Sequence, residues 1–86
     1  MPYIARERRV ALDAWVDGLM DSLDLPILPG ELNYLITKLL LETKPNTYRD
    51  FNTLVGVLEC AKLEFYRRVV EPYETRKRNE HGEVYH

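Results

Sequence analysis

The 86-residue chain is short of the residues that small scaffolds use as staples. It has one cysteine, so no internal disulfide can form. Both of its histidines fall within the last six residues, where they cannot join that cysteine at any usual zinc-ligand spacing. Disulfide and structural-metal scaffolds are excluded. Charge of one sign is scarce as well: 12 Lys and Arg stand against 14 Asp and Glu, a formal net charge of -2, which leaves no overall field to recruit nucleic acid or an anionic membrane. No uncharged stretch approaches the roughly 20 residues needed to span a bilayer. The opening Met1-Pro2-Tyr3-Ile4-Ala5-Arg6 places charge where a signal peptide would carry its apolar core. We expect an intracellular, reduced protein with no membrane contact.

What is present is the balance of a soluble globular domain, 45% hydrophobic and 30% charged. Apolar residues recur at three- and four-residue steps and never alternate cleanly over a strand's length, so the chain reads as all-α. A first helix is expected from about Ile4 to Leu23, with Asp13 able to cap a second segment starting at Ala14. Val10, Leu12, Trp15, Val16, Leu19, Met20 and Leu23 would face inward. Asp13, Asp17, Asp21 and Asp24 line one edge, which must be solvated or matched by a basic partner. Pro26 and Pro29 make Leu25–Gly30 a stiff connector. A second helix follows from Glu31 to about Thr43, with Leu32, Leu35, Ile36, Leu39 and Leu40 as its stripe. Thr47 and Asp50 form a variant capping box, from which a third, long helix runs to about Val70. Pro72 should kink or end it near Glu71, leaving a frayed or docked remainder in which Gly82 turns the chain.

Three main helices thus form a single helical domain over residues 1–79, with a short tail at 80–86 that orders only against a neighbour. A helix of about 23 residues is about 35 Å long, so part of the third helix's apolar surface extends beyond its partners. A domain this small buries only about 60% of its unfolded surface. A homo-oligomeric bundle built through the third helix is the expected remedy. Gly56, with Cys60 four residues on, marks a tight helix crossing, either within the chain or between subunits.

Asn52, Glu59, Tyr66 and Tyr73 recur every seven residues, close to two helical turns, and so share one face. Pro72 puts Tyr73's membership in question. On the second helix Asn33, Tyr34 and Thr37 occupy the polar border. In an antiparallel packing, Asn33 and Tyr34 would meet Asn52 and Glu59, either as a hydrogen-bond network fixing helix register or as a pocket reading a planar base by its edge and face. The arginines fall in three sets: Arg6, Arg8 and Arg9; Arg67 and Arg68; Arg76 and Arg78 with Lys77. Their forked donors suit phosphate, although interspersed glutamates also fit a merely solvated surface. Arg67 and Arg68 follow Phe65 and Tyr66 and should border the apolar face. Cys60 has no histidine nearby and reads as a core residue. No catalytic residues, no metal ligands, no cofactor and no glycine-rich phosphate loop emerge, so the chain does not read as an enzyme.

Gly30-Glu31-Leu32-Asn33-Tyr34, Tyr48-Arg49-Asp50-Phe51-Asn52, Gly56-Val57-Leu58-Glu59-Cys60 and Lys62-Leu63-Glu64-Phe65-Tyr66-Arg67-Arg68, followed by Pro72-Tyr73-Glu74, resemble stretches of a family of small uncharacterised proteins encoded by bacteriophages and bacteria. The resemblance extends to Met1-Pro2-Tyr3-Ile4 and Gly82-Glu83-Val84-Tyr85. It implies a phage or prophage origin and the cytoplasm of a bacterial host, and it carries no activity. By analogy of size and context, we expect a non-enzymatic homo-oligomer that sequesters a small anionic nucleotide-type signal of bacterial immunity, such as a cyclic nucleotide or an ADP-ribose derivative, in inter-subunit pockets. Arg67, Arg68 and Arg49 would engage phosphates, and Asn33, Tyr34, Asn52, Glu59 and Tyr66 would supply stacking and edge recognition. The alternative is a helical protein-protein interaction module docking on a host or virion protein. DNA binding would require the three arginine sets to align.

Overall fold

The computed structural model describes residues 3–85. His86, expected in the tail, and the Met1-Pro2 opening lie outside that range. All regular structure among the described residues is helical, as expected, and the chain divides into two units at the Pro45/Asn46 junction.

The first unit holds α1 (Arg6–Ser22) and α2 (Pro29–Glu42). Helix α1 starts two residues later than predicted, because Ala5 adopts an extended conformation and offers no side-chain cap. Asp13 does not divide it. A cap needs an extended backbone and a surrendered amide bond, and the flanking Ala11, Leu12 and Ala14 instead favour uninterrupted helix. Ser22 closes the helix, its hydroxyl donating to the Gly18 carbonyl at 2.9 Å while the Leu23 amide donates to Leu19 at 3.1 Å. Helix α2 begins at Pro29 rather than Glu31, since proline is tolerated in a first turn whose amides lack partners anyway. The Glu31 carboxylate reaches back to accept from the Leu28 amide at 2.9 Å. At the other end, the Thr43 hydroxyl and amide both bond the Leu40 carbonyl, and Lys44 takes the left-handed conformation (φ 56°) that turns the chain into Pro45.

The second unit is one continuous helical rod. The Thr47 hydroxyl accepts from the Asp50 amide at 3.1 Å, and the Asp50 carboxylate accepts from the Asn46 and Thr47 amides at 3.0 and 3.2 Å. This is the capping box read from the sequence. Helix α3 (Tyr48–Phe65) then passes through a π turn (Tyr66–Val70) into α4 (Glu71–His81) with helical backbone at both junctions. The rod therefore does not end at Glu71. Pro72 cannot donate to the Arg68 carbonyl and would clash with it in a regular α-helix. Widening one turn, so that the Glu71 amide bonds Tyr66, passes the proline without stopping the helix. Gly82, at φ 86°, ends α4 and donates to the Arg78 carbonyl at 2.8 Å. The region expected to fray is thus helical as far as His81.

No described residue is buried. Leu12, Leu23, Ile27, Leu35 and Leu40 are half-buried in the first unit, and Leu54 and Val70 in the second. The inward-facing residues predicted on α1 are mostly open, with Trp15 at 64% exposure. Cys60 is exposed rather than core, and a Cβ added to Gly56 would meet open space. No helix among the described residues is long and apolar enough to cross a membrane.

The cap on α3 yields a test. Thr47→Ala should cost about 1 kcal/mol, read as a lower melting temperature by circular dichroism. The backbone amides of Asn46 and Thr47 hold the Asp50 carboxyl below the ordinary aspartate range. Its lowered folded pKa means that the cap's contribution is complete above the unfolded value near 3.9 and fades as pH falls through the folded value. The destabilisation by Asp50→Ala, which removes the titrating carboxylate, should therefore shrink on acidification.

Candidate functional site

The predicted site residues divide between the units. Asn33 and Tyr34 lie in the first turns of α2. The Thr37 hydroxyl donates to the Asn33 side-chain oxygen at 3.3 Å, an i,i+4 bond along one helix edge. Tyr34 is largely exposed and borders an open groove of about 570 Å³, whose other walls include Leu23, Asp24, Ile27, Gly30 and Leu35. Helix α2 starts at Pro29, so Gly30, Glu31, Tyr34 and Leu35 reach this groove from its first two turns. Ile27 did not stand out in the sequence, because a connector residue belongs to no helical stripe, and Asp24 stood out only as the end of an acidic edge.

On the rod, Arg49, Asn52, Glu59, Tyr66, Arg67 and Arg68 are all exposed. The Arg49 carbonyl accepts from the Thr53 hydroxyl at 2.9 Å, while Glu59 pairs with Lys62 at 2.9 Å. Arg67 and Arg68 come together on a single carboxylate. Glu64 takes the Arg67 Nη1 at 3.0 Å on one oxygen and the Arg68 Nε at 2.7 Å on the other, giving the cluster a net charge of +1. The hydrogen bond from Arg68, followed by the field of both guanidiniums, holds the Glu64 carboxyl below its ordinary range. Glu64 was missed as a site residue although its i,i+3 and i,i+4 spacing to the arginines is the familiar helical signal.

The π turn alters the seven-residue row. One extra residue in a turn rotates everything beyond it by about 100° relative to an unbroken α-helix. An eight-residue step across the turn then spans what seven residues span elsewhere. Glu74 accordingly takes the place expected for Tyr73, and the Tyr66 hydroxyl donates to the Glu74 carboxylate. Tyr73 turns away, where Arg76 and Lys77 lie over its ring at 5.9 and 5.6 Å. The row is therefore Asn52, Glu59, Tyr66 and Glu74. The Glu74 hydrogen bond and charge push the Tyr66 phenol above its usual pKa.

No group of three or more His, Cys, Asp or Glu side chains among the described residues is arranged to hold a metal ion. The model of a family described as a domain of unknown function (DUF6899) matches residues 1–84. No curated protein and no solved structure matches the chain significantly.

The elevated phenol has a definite sign. A group whose folded pKa is raised contributes stability that is complete below its unfolded pKa, near 10, and lost as pH rises through the folded value. Ring-labelled tyrosine NMR should show Tyr66 titrating above its ordinary value, and Glu74→Gln should bring it back. An unchanged titration in that variant would show that Glu74 is not the cause.

Proposed function

The chain belongs to the DUF6899 family, and we propose that it is a phage-encoded, non-enzymatic binding protein that works as a homo-oligomer in the bacterial cytoplasm. In this reading its shared surfaces hold a small anionic nucleotide-type signal of immunity. The carrying observation is that neither unit buries a single described residue, while Phe51, Val55, Leu58 and Phe65 lie open along one stripe of the rod. Covering a side chain of this kind contributes about 1.5–3 kcal/mol. A row of them across a second copy outweighs any surface ion pair the monomer makes. The origin and the compartment rest on the resemblance to small phage and bacterial proteins.

The ligand half of the proposal is supported by Tyr66, Arg67 and Arg68, which stand together in the π turn, a feature frequent at functional sites. Glu64 engages both guanidiniums, yet exposed ion pairs contribute only about 0–1 kcal/mol. A phosphate can replace them with bidentate contacts, and the exchange comes to favour it once a second copy closes over the surface. Asn33, Tyr34, Arg49, Asn52 and Glu59 would complete such a site by edge and face recognition once copies assemble. Because sequestration needs affinity and no turnover, no catalytic set is required.

A second reading is favoured by the exposed Trp15, Val16, Leu19 and Met20 on α1, a face suited to groove-type recognition by a host or virion protein. Two measurements separate the readings. Equilibrium sedimentation should show a homo-oligomer, and a stable monomer at every concentration would overturn the proposal. Against a panel of cyclic dinucleotides and ADP-ribose derivatives, one compound should raise the melting temperature by several degrees, and Arg67→Ala should abolish the shift. A flat panel would favour the interaction module.

A further inference from the structure

Apart from the Arg8 guanidinium lying over the Trp15 ring at 6.0 Å, the charges of α1 are arranged unfavourably on their own. Its first turn holds Arg6, Arg8 and Arg9 against the single Glu7, and its last turn has no basic residue. Both ends oppose the helix dipole, which favours acids at the start and bases at the finish. Asp13, Asp17 and Asp21 stand at successive four-residue steps, each a like-charge neighbour of the next. None of these six charges has an ion-pair partner among the described residues. Ala5 supplies no cap, and Gly18 weakens the interior. Beside the charged edge runs the open apolar face of Leu12, Trp15, Val16, Leu19 and Met20, of which only Leu12 is half-buried.

The helical repeat shows what relieves these charges. Arg6, Arg9, Asp13 and Asp17 follow one another at steps of three, four and four residues, so they share one edge that is basic at its start and acidic at its end. When two identical helices pack antiparallel, each edge meets the same edge of the other running in reverse. The basic start of one α1 then lies against the acidic end of the other, twice over, across a two-fold axis. Parallel packing would instead set each edge against the opposite flank of the partner's apolar face and lose this reciprocal match.

We propose that α1 is a self-recognition surface that pairs antiparallel with α1 of a second copy. Arg6 and Arg9 would face Asp17 and Asp21 of that copy, and the Trp15 face would be closed between them. The proposal rests on the self-assembly reading above and adds the surface and its polarity. A 17-residue helix is about 25 Å long, too short for one pairing alone to reach the about 1,200–2,000 Å² of a stable interface. The α1 contact therefore works as one of two interfaces, beside the rod's.

Charge exchange tests it. An all-basic copy, Asp17→Arg with Asp21→Arg, and an all-acidic copy, Arg6→Glu with Arg9→Glu, should each self-associate roughly tenfold or more weakly than wild type at low salt. The equimolar mixture should regain the wild-type mass, as should a single chain carrying all four changes. Circular dichroism on each species keeps folding failure apart from interface failure. Variants that keep the wild-type mass, or a loss that neither mixing nor the fourfold exchange repairs, would overturn the α1 pairing while leaving self-assembly standing. A wild-type monomer would overturn both.

Discussion

Local bonding holds the backbone of this protein, whereas most helical stability in proteins comes from covering an apolar face. The side-chain hydrogen bonds among the described residues join partners no more than eight positions apart. The ion pairs along α2, the rod and its end are exposed i,i+3 or i,i+4 contacts for the most part, each contributing about 0.3–0.5 kcal/mol. Surface pairs of this size add little, so the apolar faces decide how firmly the helices hold. Here those faces are intact and open. Covering them is the constraint on which everything else in the molecule depends.

Features written in short-range chemistry were legible in the sequence. The all-helical class follows from the three- and four-residue steps of apolar residues and the Thr47/Asp50 box from residues within one turn, and both are present. Pro72 was correctly identified as an obstacle and its outcome was misjudged, because a widened turn costs less than breaking a rod that continues favourably on both sides. Asp13 failed as a cap for the same reason: its neighbours propagate helix more strongly than its side chain ends one. Burial was not legible. Cys60 read as core for want of a histidine nearby and Trp15 by helical periodicity, but burial is settled by tertiary partners that no local pattern specifies.

The candidate site divides along the same line. That Arg67 and Arg68 share a carboxylate was implicit in their three- and four-residue distance from Glu64. The partnership of Tyr66 with Glu74 was not, since an eight-residue step has no meaning in a regular helix and acquires one only when the π turn adds a residue. Pro72 thus acts on the site indirectly. By forcing the wider turn it turns Tyr73 away and exchanges a phenol for a carboxylate in the row. The surface at that position becomes anionic beside the Glu64–arginine cluster, and charges of both signs stand within two helical turns.

That mixture has a consequence for how binding and assembly are connected. An exposed arginine pair already satisfied by Glu64 binds phosphate weakly, because in high dielectric each contact it gains is close to the one it gives up. Closing a second copy over the same surface lowers the local dielectric. A guanidinium–phosphate contact then strengthens, while a carboxylate left in the closed space becomes costly. A ligand that prefers the closed arrangement must by mass action stabilise the assembly, and the assembly must tighten the ligand by the same free energy. On the proposed reading, folding, association and capture are stages of one equilibrium, each driven by the apolar faces that a lone chain leaves in water.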